Sequence, residues 1–478
     1  MKSLEEIKFE EFSVAVPAML NSVLCKHLLR EDHQEDATFA LYKPSRGKLR
    51  FTGLIYRVVL PEKGDREVHG NVEINSQYFK RVCKLAAAEN AGVVLLHSHL
   101  GPGWQGMSTD DFVTERSYAV NTESLTDLPL IGCTLGTDGA LSARIWEENN
   151  GWYEKRWAVT VRVVGQKLSV TYHDGLRPRP AFKEVYKRTV TVWGSENHAH
   201  LARLKIGIIG LGSVGSIVAE SLARMGVERF VLMDFDEVQE HNLDRLLGAT
   251  FQDIGHSKVS VAHRQILKAS TATNPQVTLV TQAITEKEGY LPALDCDVLF
   301  SCVDRPWPRQ ILNHIAYNHL IPVIDGGIQV RLSLTGEFEG ADWQLQTVGP
   351  DRPCLQCLGA FNPADVATEQ AGLLEDPSYL AGLPMDHNFK RNENIFPFSA
   401  NLASLEVLQF IEMVTGIGGT DYYGTQRYTY NQGYVRLNDS LKCKEGCLYQ
   451  ANVALGDSLF SGSYGIDHSA INARTRQE

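Results

Sequence analysis

The 478-residue sequence has no run of 18 or more apolar residues and no excess of positive charge. A transmembrane helix needs such an apolar run, so none is expected. Lysine and arginine number 46 against 57 acidic residues, a formal charge of −11, whereas non-specific nucleic-acid binding needs a basic face. The opening residues, MKSLEEIKFEEF, are too acidic and polar for a signal peptide. We therefore expect a cytoplasmic protein that binds neither membranes nor nucleic acid.

Cysteine is also scarce, with nine residues in the chain, an odd number. Four of them form two close pairs, which favours one metal site in a reducing compartment over a disulfide framework. The hydrophobic content of 43% and charged content of 22% are ordinary for a soluble globular protein. A chain of this length is too long for one hydrophobic core, so two or three domains are expected.

One stretch, residues 203–258, is typical of a nucleotide-binding unit. Lys205–Ile209 is a short apolar run that suits a buried parallel strand. Three glycines then form a G-x-G-x-x-G turn, which lets backbone amides approach phosphates: Gly210, Gly212 and Gly215. A helix is predicted over Ser216–Met225, and the next strand, Arg229–Met233, ends at Asp234. An NAD-binding unit has the same features, so they predict a Rossmann-like fold and leave the ligand open.

The residues after Asp234 do not fit a dehydrogenase. Further charged or amide side chains fall within one short segment: Asp236, Asn242, Asp244, Arg245 and Lys258. An NAD site does not need so many charged groups. A nucleoside triphosphate that is being cleaved does need them, because its phosphate charge must be neutralised and oriented.

This pattern resembles the ubiquitin-activating superfamily, which includes the ThiF-type adenylyltransferases of sulfur carriers. The resemblance covers roughly residues 186–447 and implies ATP-dependent adenylation of the C-terminal glycine of a ubiquitin-like protein. The implied contacts are Asp234 with the ribose, Asn242, Arg245 and Lys258 with the triphosphate, and Asp304, after the strand Val298–Cys302, with magnesium. Arg309 fits a direct role and a helix-surface charge equally well. Arg188 matches an arginine that reaches a partner's ATP, which implies a homodimer.

A second motif lies in the N-terminal third, where a predicted strand over Val93–Leu96 ends at His97-Ser-His99. Two histidines at i and i+2 on a strand point to the same side, so both can reach one ion. A carboxylate from the following Gly/Pro loop, Asp111, adds a third ligand, and three protein ligands with an open fourth position describe a catalytic zinc site. The alternative is a pair of loop histidines beside a helix that Ser108 caps.

The motif resembles the JAMM (MPN, JAB) metalloprotease signature, H-x-H, a spacer and S-x-x-D. The resemblance implies an N-terminal α/β, cytidine-deaminase-like domain that cleaves after the C-terminal glycine of ubiquitin-like proteins. The spacer is one residue longer than is usual, which leaves Asp110 as a rival to Asp111. The implied catalytic groups are Glu35 as general base, with Glu31 as its alternative, and Ser108 as an oxyanion contact.

The predicted domain order is a JAMM domain over residues 1–150, a connecting segment over 151–180, a ThiF-type domain over 181–450 and a poorly packed tail over 451–478. Within the ThiF-type domain, a strand over Ile321–Asp325 precedes Gly326-Gly327, which we expect to form a tight turn, and an amphipathic helix is predicted over Ser399–Gly416. Two cysteine pairs there predict a structural zinc site, with buried free thiols as the alternative: Cys354, Cys357, Cys443 and Cys447.

The crossover loop, residues 358–397, holds the acceptor cysteine in thioester-forming relatives but contains no cysteine here. We therefore predict that the activated glycine passes to an external acceptor, such as a ubiquitin-carrier-like conjugating enzyme. Three hydroxyls are the internal alternatives: Thr368, Ser378 and Ser399.

The two motifs together predict a bifunctional enzyme of a bacterial-style ubiquitin-like conjugation pathway, a kind of fusion that by family is associated in some cases with antiphage defence. Its predicted cofactors are zinc, ATP and magnesium. One rival is a sulfur-carrier adenylyltransferase with a carrier-processing peptidase, working in cofactor or cysteine biosynthesis. The other is a non-catalytic scaffold for a ubiquitin-like partner.

Overall fold

The computed structural model describes residues 9–69, 71–333, 335–382, 393–419, 424–459 and 464–476. The chain divides into two compact units, each with its own large sheet. The first unit comprises Met1–Arg179, Asn318–Leu320 and Asn452–Phe460, and the second comprises Pro180–Tyr317, Ile321–Ala451 and Ser461–Glu478. Among the described helices, none combines the length and apolar character needed to cross a membrane.

The first unit has a mixed sheet with helices. Its strands are β1 (Glu11–Pro17), β2 (Ala37–Arg46), β3 (Arg50–Val59), β4 (Arg66–His69), β5 (Asn71–Ile74), β6 (Gly92–Ser98), β7 (Leu130–Leu135), β8 (Leu141–Asn149), β9 (Trp152–Trp157), β10 (Thr160–Val164) and β11 (Leu168–Tyr172). Its helices are α1 (Ala18–Leu28), α2 (Ser76–Ala88) and α3 (Thr109–Thr126). The large sheet has the order β11-β10-β1-β3-β2-β6-β7-β8-β9, and β4 and β5 form a separate hairpin.

Strand alternation gives this sheet two apolar faces. In β2, Ala40 and Tyr42 belong to one buried cluster, which also contains Leu24 of α1. Phe39 and Leu41 belong to another cluster, together with side chains of α2 and α3. Since successive side chains of a strand point to opposite sides, the sheet carries α1 on one face and α2 and α3 on the other.

Most of residues 151–180 is not a connecting segment, because this stretch supplies β9, β10 and β11 as far as Tyr172, and β10 pairs in parallel with β1. Residues 173–180 follow the last of these strands, and the boundary between the two units falls there. The pairing joins residues about 150 positions apart, from Ser13↔Thr160 to Pro17↔Val164. Local periodicity cannot reveal such a partner, because a strand is stabilised by its neighbours in the sheet.

The second unit begins with a helix and alternates strands and helices. Its strands are β12 (Lys205–Ile209), β13 (Arg229–Met233), β14 (Gln276–Val280), β15 (Val298–Ser301), β16 (Val323–Leu332), β17 (Phe338–Val348), β18 (Thr425–Thr429) and β19 (Tyr434–Asn438). Its helices are α4 (Lys187–Arg203), α5 (Ser213–Arg224), α6 (Lys258–Ala269), α7 (Lys287–Ala293), α8 (Pro306–Asn318), α9 (Pro363–Gln370), α10 (Pro377–Gly382), α11 (Phe396–Thr415), α12 (Leu448–Ala451) and α13 (His468–Thr475).

The sheet order of this unit is β14-β13-β12-β15-β16-β17-β18-β19. The strands from β14 to β16 run parallel, and β17, β18 and β19 add antiparallel pairs. Strand order reverses between β12 and β15, which is the position where doubly wound sheets bind ligands at the carboxyl ends of their strands. The predicted α/β class and Rossmann-like arrangement are confirmed.

Gly326 and Gly327 do not form the predicted tight turn, since β16 runs through both of them to Leu332. A Cβ atom on Gly326 would lie 2.2 Å from Oε1 of Glu406, and one on Gly327 would lie 3.0 Å from Nη2 of Arg309. These glycines therefore allow close packing against α11 and α8. The sequence shows the glycines but not the side chains that approach them.

The C-terminal tail is not poorly packed where the structure describes it. Residues 464–476 belong to the second unit and contain α13. Arg474 donates to both carboxylate oxygens of Glu286, at 2.6 and 2.7 Å, and the buried Asp467 accepts the hydroxyl of Thr285. These partners lie more than 180 residues away, so the Ser/Gly-rich composition of the segment did not indicate them.

Candidate nucleotide site and candidate metal centres

The glycine turn joins β12 to α5 in the second unit, and its three glycines have different roles. Gly210 has φ +89°, and a Cβ atom there would lie 2.4 Å from the carbonyl oxygen of Cys302. A Cβ on Gly215 would lie 2.0 Å from the carbonyl oxygen of Gly210. Gly212, the N-cap of α5, has open space on its Cβ side. The first and third glycines thus permit packing, and the second leaves the helix N-terminus accessible to an anion.

A cavity of about 970 Å³ opens at the carboxyl ends of the parallel strands. Most of the predicted nucleotide contacts line it: Gly210, Gly212, Asp234, Asp236, Asn242, Arg245, Lys258 and Asp304. Gly215 is not among the described lining residues, which agrees with its packing role. These side chains span residues 210–304, so strand order alone brings them to one place.

The turn after β13 carries Asp234 and Asp236, which lie near the side-chain amino group of Lys258 at the start of α6. The Asp234 carboxylate accepts backbone N–H groups of Leu211 at 2.7 Å and Asp236 at 2.8 Å. Lys258 donates from Nζ to Oδ2 of Asp236 at 2.7 Å. Burial raises the pKa of Asp234 while the nearby Lys258 opposes that rise. Burial lowers the pKa of Lys258, but the two aspartates outweigh it and keep the amino group charged.

Arg245 and Asn242, the other residues expected to contact the phosphates, make hydrogen bonds with residues near them in the chain. Arg245 donates from Nη1 to the His241 carbonyl at 2.6 Å and to Asp244 at 2.8 Å, so its guanidinium is fixed against the chain. Asn242 accepts the backbone N–H of Gln239 at 3.1 Å. Nη2 and Nε of Arg245 remain as further donors for an anion in the cavity.

Asp304 lies in the short connection between β15 and α8. Its side chain is exposed at the cavity, and its charge raises the pKa of Lys258. An oxygen donor in that position is the ligand type that magnesium prefers.

Asn394 is a cavity residue that the sequence analysis missed. Its Nδ2 donates to the hydroxyl of Ser213 at 3.1 Å and of Ser399 at 2.8 Å, which ties the start of α5 to the start of α11. No motif marks Asn394, because it lies 181 residues from Ser213.

Of the three hydroxyl alternatives in or beside the crossover loop, Thr368 is half-buried, Ser378 is exposed and Ser399 is not accessible. Ser399 is fully buried and accepts the Asn394 amide, so the structure excludes it as an accessible nucleophile. The hydroxyl of Thr368 donates to the Ala364 carbonyl at 3.0 Å, and that of Ser378 donates to Asp376 at 2.7 Å. Residues 383–392 of the loop lie outside the described residues.

Four sulfur atoms of the second unit lie within 4.8 Å of one another: those of Cys354, Cys357, Cys443 and Cys447. Sγ of Cys354 and Sγ of Cys447 are 3.7 Å apart. A tetrahedral zinc with Zn–S bonds of about 2.3 Å separates its sulfurs by about 3.8 Å. The donor set therefore fits one zinc ion.

Backbone amides also point at these sulfurs. Cys354 N–H donates to Cys443 Sγ at 3.1 Å, Cys357 N–H to Cys354 Sγ at 3.3 Å, and Lys444 N–H to Cys357 Sγ at 3.4 Å. A hydrogen bond from the Cys354 thiol is the largest cause that lowers the pKa of Cys443, to about 5. Both effects favour the thiolate form of Cys443, the form that binds metals, while the same hydrogen bond raises the pKa of Cys354.

A second cluster lies in the first unit, at the end of β6 and the start of α3. Nε2 of His97 and Nε2 of His99 are 3.1 Å apart, and the two carboxylate oxygens of Asp111 lie 3.3 Å from one histidine each. Tetrahedral zinc with bonds of about 2.05 Å places its donors about 3.3 Å apart. The three donors thus fit one metal ion. Hydrogen bonds from the histidines keep the pKa of Asp111 well below its usual range, although burial opposes them.

Residues around this cluster bear on the alternatives that the sequence left open. The structure brings Asp111, rather than the exposed Asp110, to the histidines. Glu35 is half-buried and acts electrostatically on His99, while Glu31 is exposed. Register explains this proximity, because Ala37 of β2 pairs with His97 of β6, which sets residue 35 opposite residue 99.

A buried polar network contacts the same cluster through Thr134. The Thr134 hydroxyl lies 3.4 Å from Nε2 of His97 and accepts a hydrogen bond from Arg144 at 2.6 Å. Arg144 also donates from Nε to Glu115 at 2.9 Å, and Trp146 donates to the same carboxylate at 2.7 Å. Thr134, Arg144, Glu115 and Trp146 are all buried, so their hydrogen bonds join β7 and β8 to α3.

Arg188 lies near the start of α4 with an exposed side chain and is not among the described residues that line the nucleotide cavity. Within its own chain, then, it does not contribute to the cavity.

Together, the sheet order, the glycine turn and the charged cavity define the class of doubly wound, nucleotide-binding α/β proteins. The family model described as the ThiF family matches residues 186–446, more than half of the chain. The chain belongs to the ThiF family.

Named relatives point in the same direction. The chain is 28% identical over 167 residues to the SAMP-activating enzyme E1 of Haloferax volcanii, across 34% of this chain and 57% of that protein. It is 24% identical over 217 residues to the molybdopterin-synthase adenylyltransferase of Escherichia coli, across 45% of this chain and 74% of that protein. It is 26% identical over 177 residues to ubiquitin-like modifier-activating enzyme 5 of Drosophila willistoni, across 34% of this chain and 40% of that protein.

Among solved structures, E. coli MccB with ATP aligns with a TM-score of 0.43 at 16% identity, over 55% of this chain and 74% of that chain. The matches to the H. volcanii and D. willistoni proteins each span less than two thirds of the relative's length.

Proposed function

We propose that the second unit adenylates the C-terminal glycine of a ubiquitin-like protein. The supporting observation is one cavity that joins an accessible helix N-terminus with Lys258, Arg245 and Asp304. Such groups neutralise and orient a triphosphate. Relatives of this chain named as activating enzymes and adenylyltransferases support the same reaction.

The residues divide the work of the reaction. The amides at Gly212 and the cations Lys258 and Arg245 hold the triphosphate, and Asp304 would hold a magnesium ion, which supplies further neutralisation of phosphate charge. The glycine carboxylate attacks the α-phosphorus in line. A bond from the carboxylate oxygen to phosphorus forms, the α–β phosphoanhydride bond breaks, and pyrophosphate leaves with its electron pair. ATP is the second substrate of this step.

ATP–pyrophosphate exchange with a ubiquitin-like protein of the same genome tests this proposal. We expect exchange in the wild type and a loss on the order of 100-fold in Lys258→Ala, because the phosphates lose a preorganised cation. Lys268→Ala is the matched control, since Lys268 lies in α6 but is exposed and away from the cavity. Absence of exchange in the wild type, with every ubiquitin-like protein of that genome, would contradict the proposal.

For the first unit we propose a zinc peptidase of the JAMM type that processes or releases the same ubiquitin-like protein. The donor geometry of His97, His99 and Asp111 supports it, together with the proximity of Glu35. Zinc bound there would activate a water molecule. Glu35 would take a proton from that water, and the Ser108 hydroxyl, which is exposed beside Asp111, would donate to the oxyanion.

Glu35→Gln tests the peptidase with a fusion that carries a folded protein after the ubiquitin-like C-terminal glycine. Cleavage should fall on the order of 100-fold while zinc stays bound, because the change removes a base and no ligand. Glu31→Gln is the control, because Glu31 is an exposed acid four residues away. If Glu31→Gln lost cleavage and Glu35→Gln kept it, the assignment of the base would be wrong.

The rival pathway is activation of a sulfur carrier, which the named molybdopterin-synthase adenylyltransferase and the ThiS adenylyltransferase of Escherichia coli make a definite alternative. A C-terminal thiocarboxylate on the carrier, seen by mass spectrometry after reaction with a sulfur donor, would favour it. An isopeptide bond to a lysine would favour conjugation and a ubiquitin-carrier-like partner.

A further inference from the structure

Arg309 lies on α8, five residues after Asp304, and lines the nucleotide cavity with a side chain that is 17% exposed. Its Nη2 donates to the Gly326 carbonyl at 3.0 Å, and its Nε lies 3.3 Å from Oδ1 of Asp325. An arginine has five N–H donors, so these two contacts leave the Nη1 donors for another acceptor. Its low exposure and its contacts with β16 favour a direct role for Arg309 over that of a helix-surface charge.

Asp325, which binds the Arg309 side chain, is itself held by neighbouring strands. It is 1% exposed and lies where β16 pairs with both β15 and β17. Oδ1 accepts the hydroxyl of Ser301 at 2.6 Å, and Oδ2 accepts the Gln346 amide at 2.7 Å. Three strands therefore hold the carboxylate, and its only cationic contact within the described part of the chain is Arg309.

Glu406 of α11 packs against Gly326, since a Cβ atom there would lie 2.2 Å from Oε1 of Glu406. It is fully buried, and neither of its oxygens has a hydrogen-bond partner among the described residues. Burial is the largest cause that raises the pKa of Glu406 well above its usual range, and the charge of Asp325 adds to it. A neutral Glu406 does not compete with Asp325, which is the carboxylate that pairs with Arg309 in the described part of the chain.

We propose that Asp325 is a positioning residue that aims the Arg309 guanidinium into the cavity, where Arg309 binds an anionic oxygen of the reactants. That oxygen belongs either to a phosphate of the nucleotide or to the carboxylate that is activated. The inference rests on the proposed adenylation, and it adds two residues to the site. Gly327 has the small size that this aim requires, because a Cβ there would lie 3.0 Å from Nη2 of Arg309.

Calorimetric titration of the full chain with ATP, AMP and pyrophosphate tests the proposal, with exchange kinetics as the second measurement. We expect Arg309→Ala to weaken one of these affinities, or to raise the KM for the ubiquitin-like protein, by about 10- to 100-fold, as for a lost charge-assisted hydrogen bond. Loss of ATP and pyrophosphate affinity with AMP unchanged assigns the oxygen to the β- or γ-phosphate. A loss of affinity for AMP as well as for ATP assigns the oxygen to the α-phosphate. A higher KM for the ubiquitin-like protein, with all three affinities unchanged, assigns the oxygen to the carboxylate.

A double-mutant cycle separates positioning from packing. Asp325→Asn should weaken the same parameter about tenfold, and it should add nothing in the Arg309→Ala background, because Asp325 acts through Arg309. An effect of Asp325→Asn that is equal in both backgrounds would overturn the positioning role. If Asp325→Asn does not fold, Arg309→Lys replaces it, since lysine keeps the charge but loses the fork, and an affinity equal to the wild type would overturn the proposal.

Arg224→Ala is the control, because this exposed arginine of α5 pairs only with Glu220, one turn earlier, in the described residues. ATP binding and pyrophosphate exchange by the wild type distinguish failure of the proposed adenylation from failure of the proposed role of Arg309. A wild type that does not bind ATP contradicts the proposed adenylation. A wild type that binds ATP and exchanges pyrophosphate, with unchanged Arg309→Ala, contradicts only the present inference.

Discussion

The hydroxyl of Ser108 accepts the backbone N–H of Asp111 at 3.0 Å, and the carboxylate of Asp111 accepts the backbone N–H of Ser108 at 2.8 Å. This reciprocal pair is a capping box at the start of α3. The same carboxylate faces the two histidines at the end of β6. A helix cap and a candidate metal ligand, which the sequence presents as alternatives, are thus combined in one side chain. The cap restricts the carboxylate before any ion binds.

The first prediction concerns the metal content of the chain. The wild type should bind about two zinc ions, from the two donor sets. Asp111→Asn should lose one of them, because an amide is a poor replacement for the carboxylate, whereas Asp110→Asn should keep both. Metal analysis by mass spectrometry of protein purified without chelator checks this result. Equal zinc contents in the two variants would contradict the Asp111 site.

The second prediction concerns the cysteine cluster. Cys443→Ser should lower the melting midpoint of the second unit by about 5 °C or more, because metal binding there contributes to folding. ATP affinity at low temperature should change little, since the four cysteines do not line the cavity. Cys25→Ser is the control, because Cys25 lies in α1 of the first unit, away from the cluster. A zinc content that Cys443→Ser leaves unchanged would refute the site.

The third prediction concerns Arg188, which we expect to act on a partner's nucleotide in a homodimer. Arg188→Ala and Lys258→Ala should each lose exchange activity, and a mixture of the two should regain up to about a quarter of it, because some mixed dimers have one intact site. Pyrophosphate exchange after re-pairing of the subunits provides the measurement. A fully active monomer in sedimentation would remove the argument.

The fourth prediction concerns Glu369 of α9, which is 7% exposed and accepts the backbone N–H of Trp307 at 2.8 Å. Burial is the largest cause that raises its pKa from 4.5 to about 7. Between pH 4.5 and about pH 7, the Glu369 carboxyl keeps its proton in the folded chain and releases it in the unfolded chain. The stabilising contribution is therefore complete below pH 4.5 and decreases by about 3 kcal/mol as the pH rises to 7.

Glu369→Gln should remove this pH dependence, since the amide accepts the same N–H and stays neutral at every pH. The urea midpoint, followed by fluorescence between pH 4.5 and 7.5, should decrease with pH less in the variant than in the wild type. Parallel slopes would show that Glu369 does not carry the proton.

The fifth prediction concerns the acceptor of the activated glycine. The described part of the crossover loop brings no thiol to the cavity, and the one cysteine that lines the cavity, Cys302, has its pKa raised well above the usual range, chiefly by burial. We therefore expect no thiol-labile adduct on this chain after incubation with ATP and the ubiquitin-like protein. Non-reducing gels and peptide mass mapping detect such an adduct, and one on any cysteine would contradict the prediction. A hydroxylamine-sensitive, thiol-stable adduct would instead favour Thr368 or Ser378.

The sequence by itself determined the local parts of this protein. The strands Lys205–Ile209 and Arg229–Met233 were predicted with the bounds they have, because apolar runs beside a glycine turn leave few alternatives. Family membership follows from the same short motifs. Each of these features depends on residues close together in the chain, where backbone geometry sets which side chains share a side.

Only the tertiary structure decided which distant residues complete the sites. Asp325, Gln346 and Asn394 reach the nucleotide cavity because strand order and α11 bring them there, and no local pattern marks them. The strand character of residues 157–171 is visible in the sequence, but their pairing with β1 and the close packing at Gly326 depend on partners far along the chain. The physical reason is that sheet pairing and buried polar contacts join groups across long sequence separations, while sequence periodicity reports only on neighbouring residues.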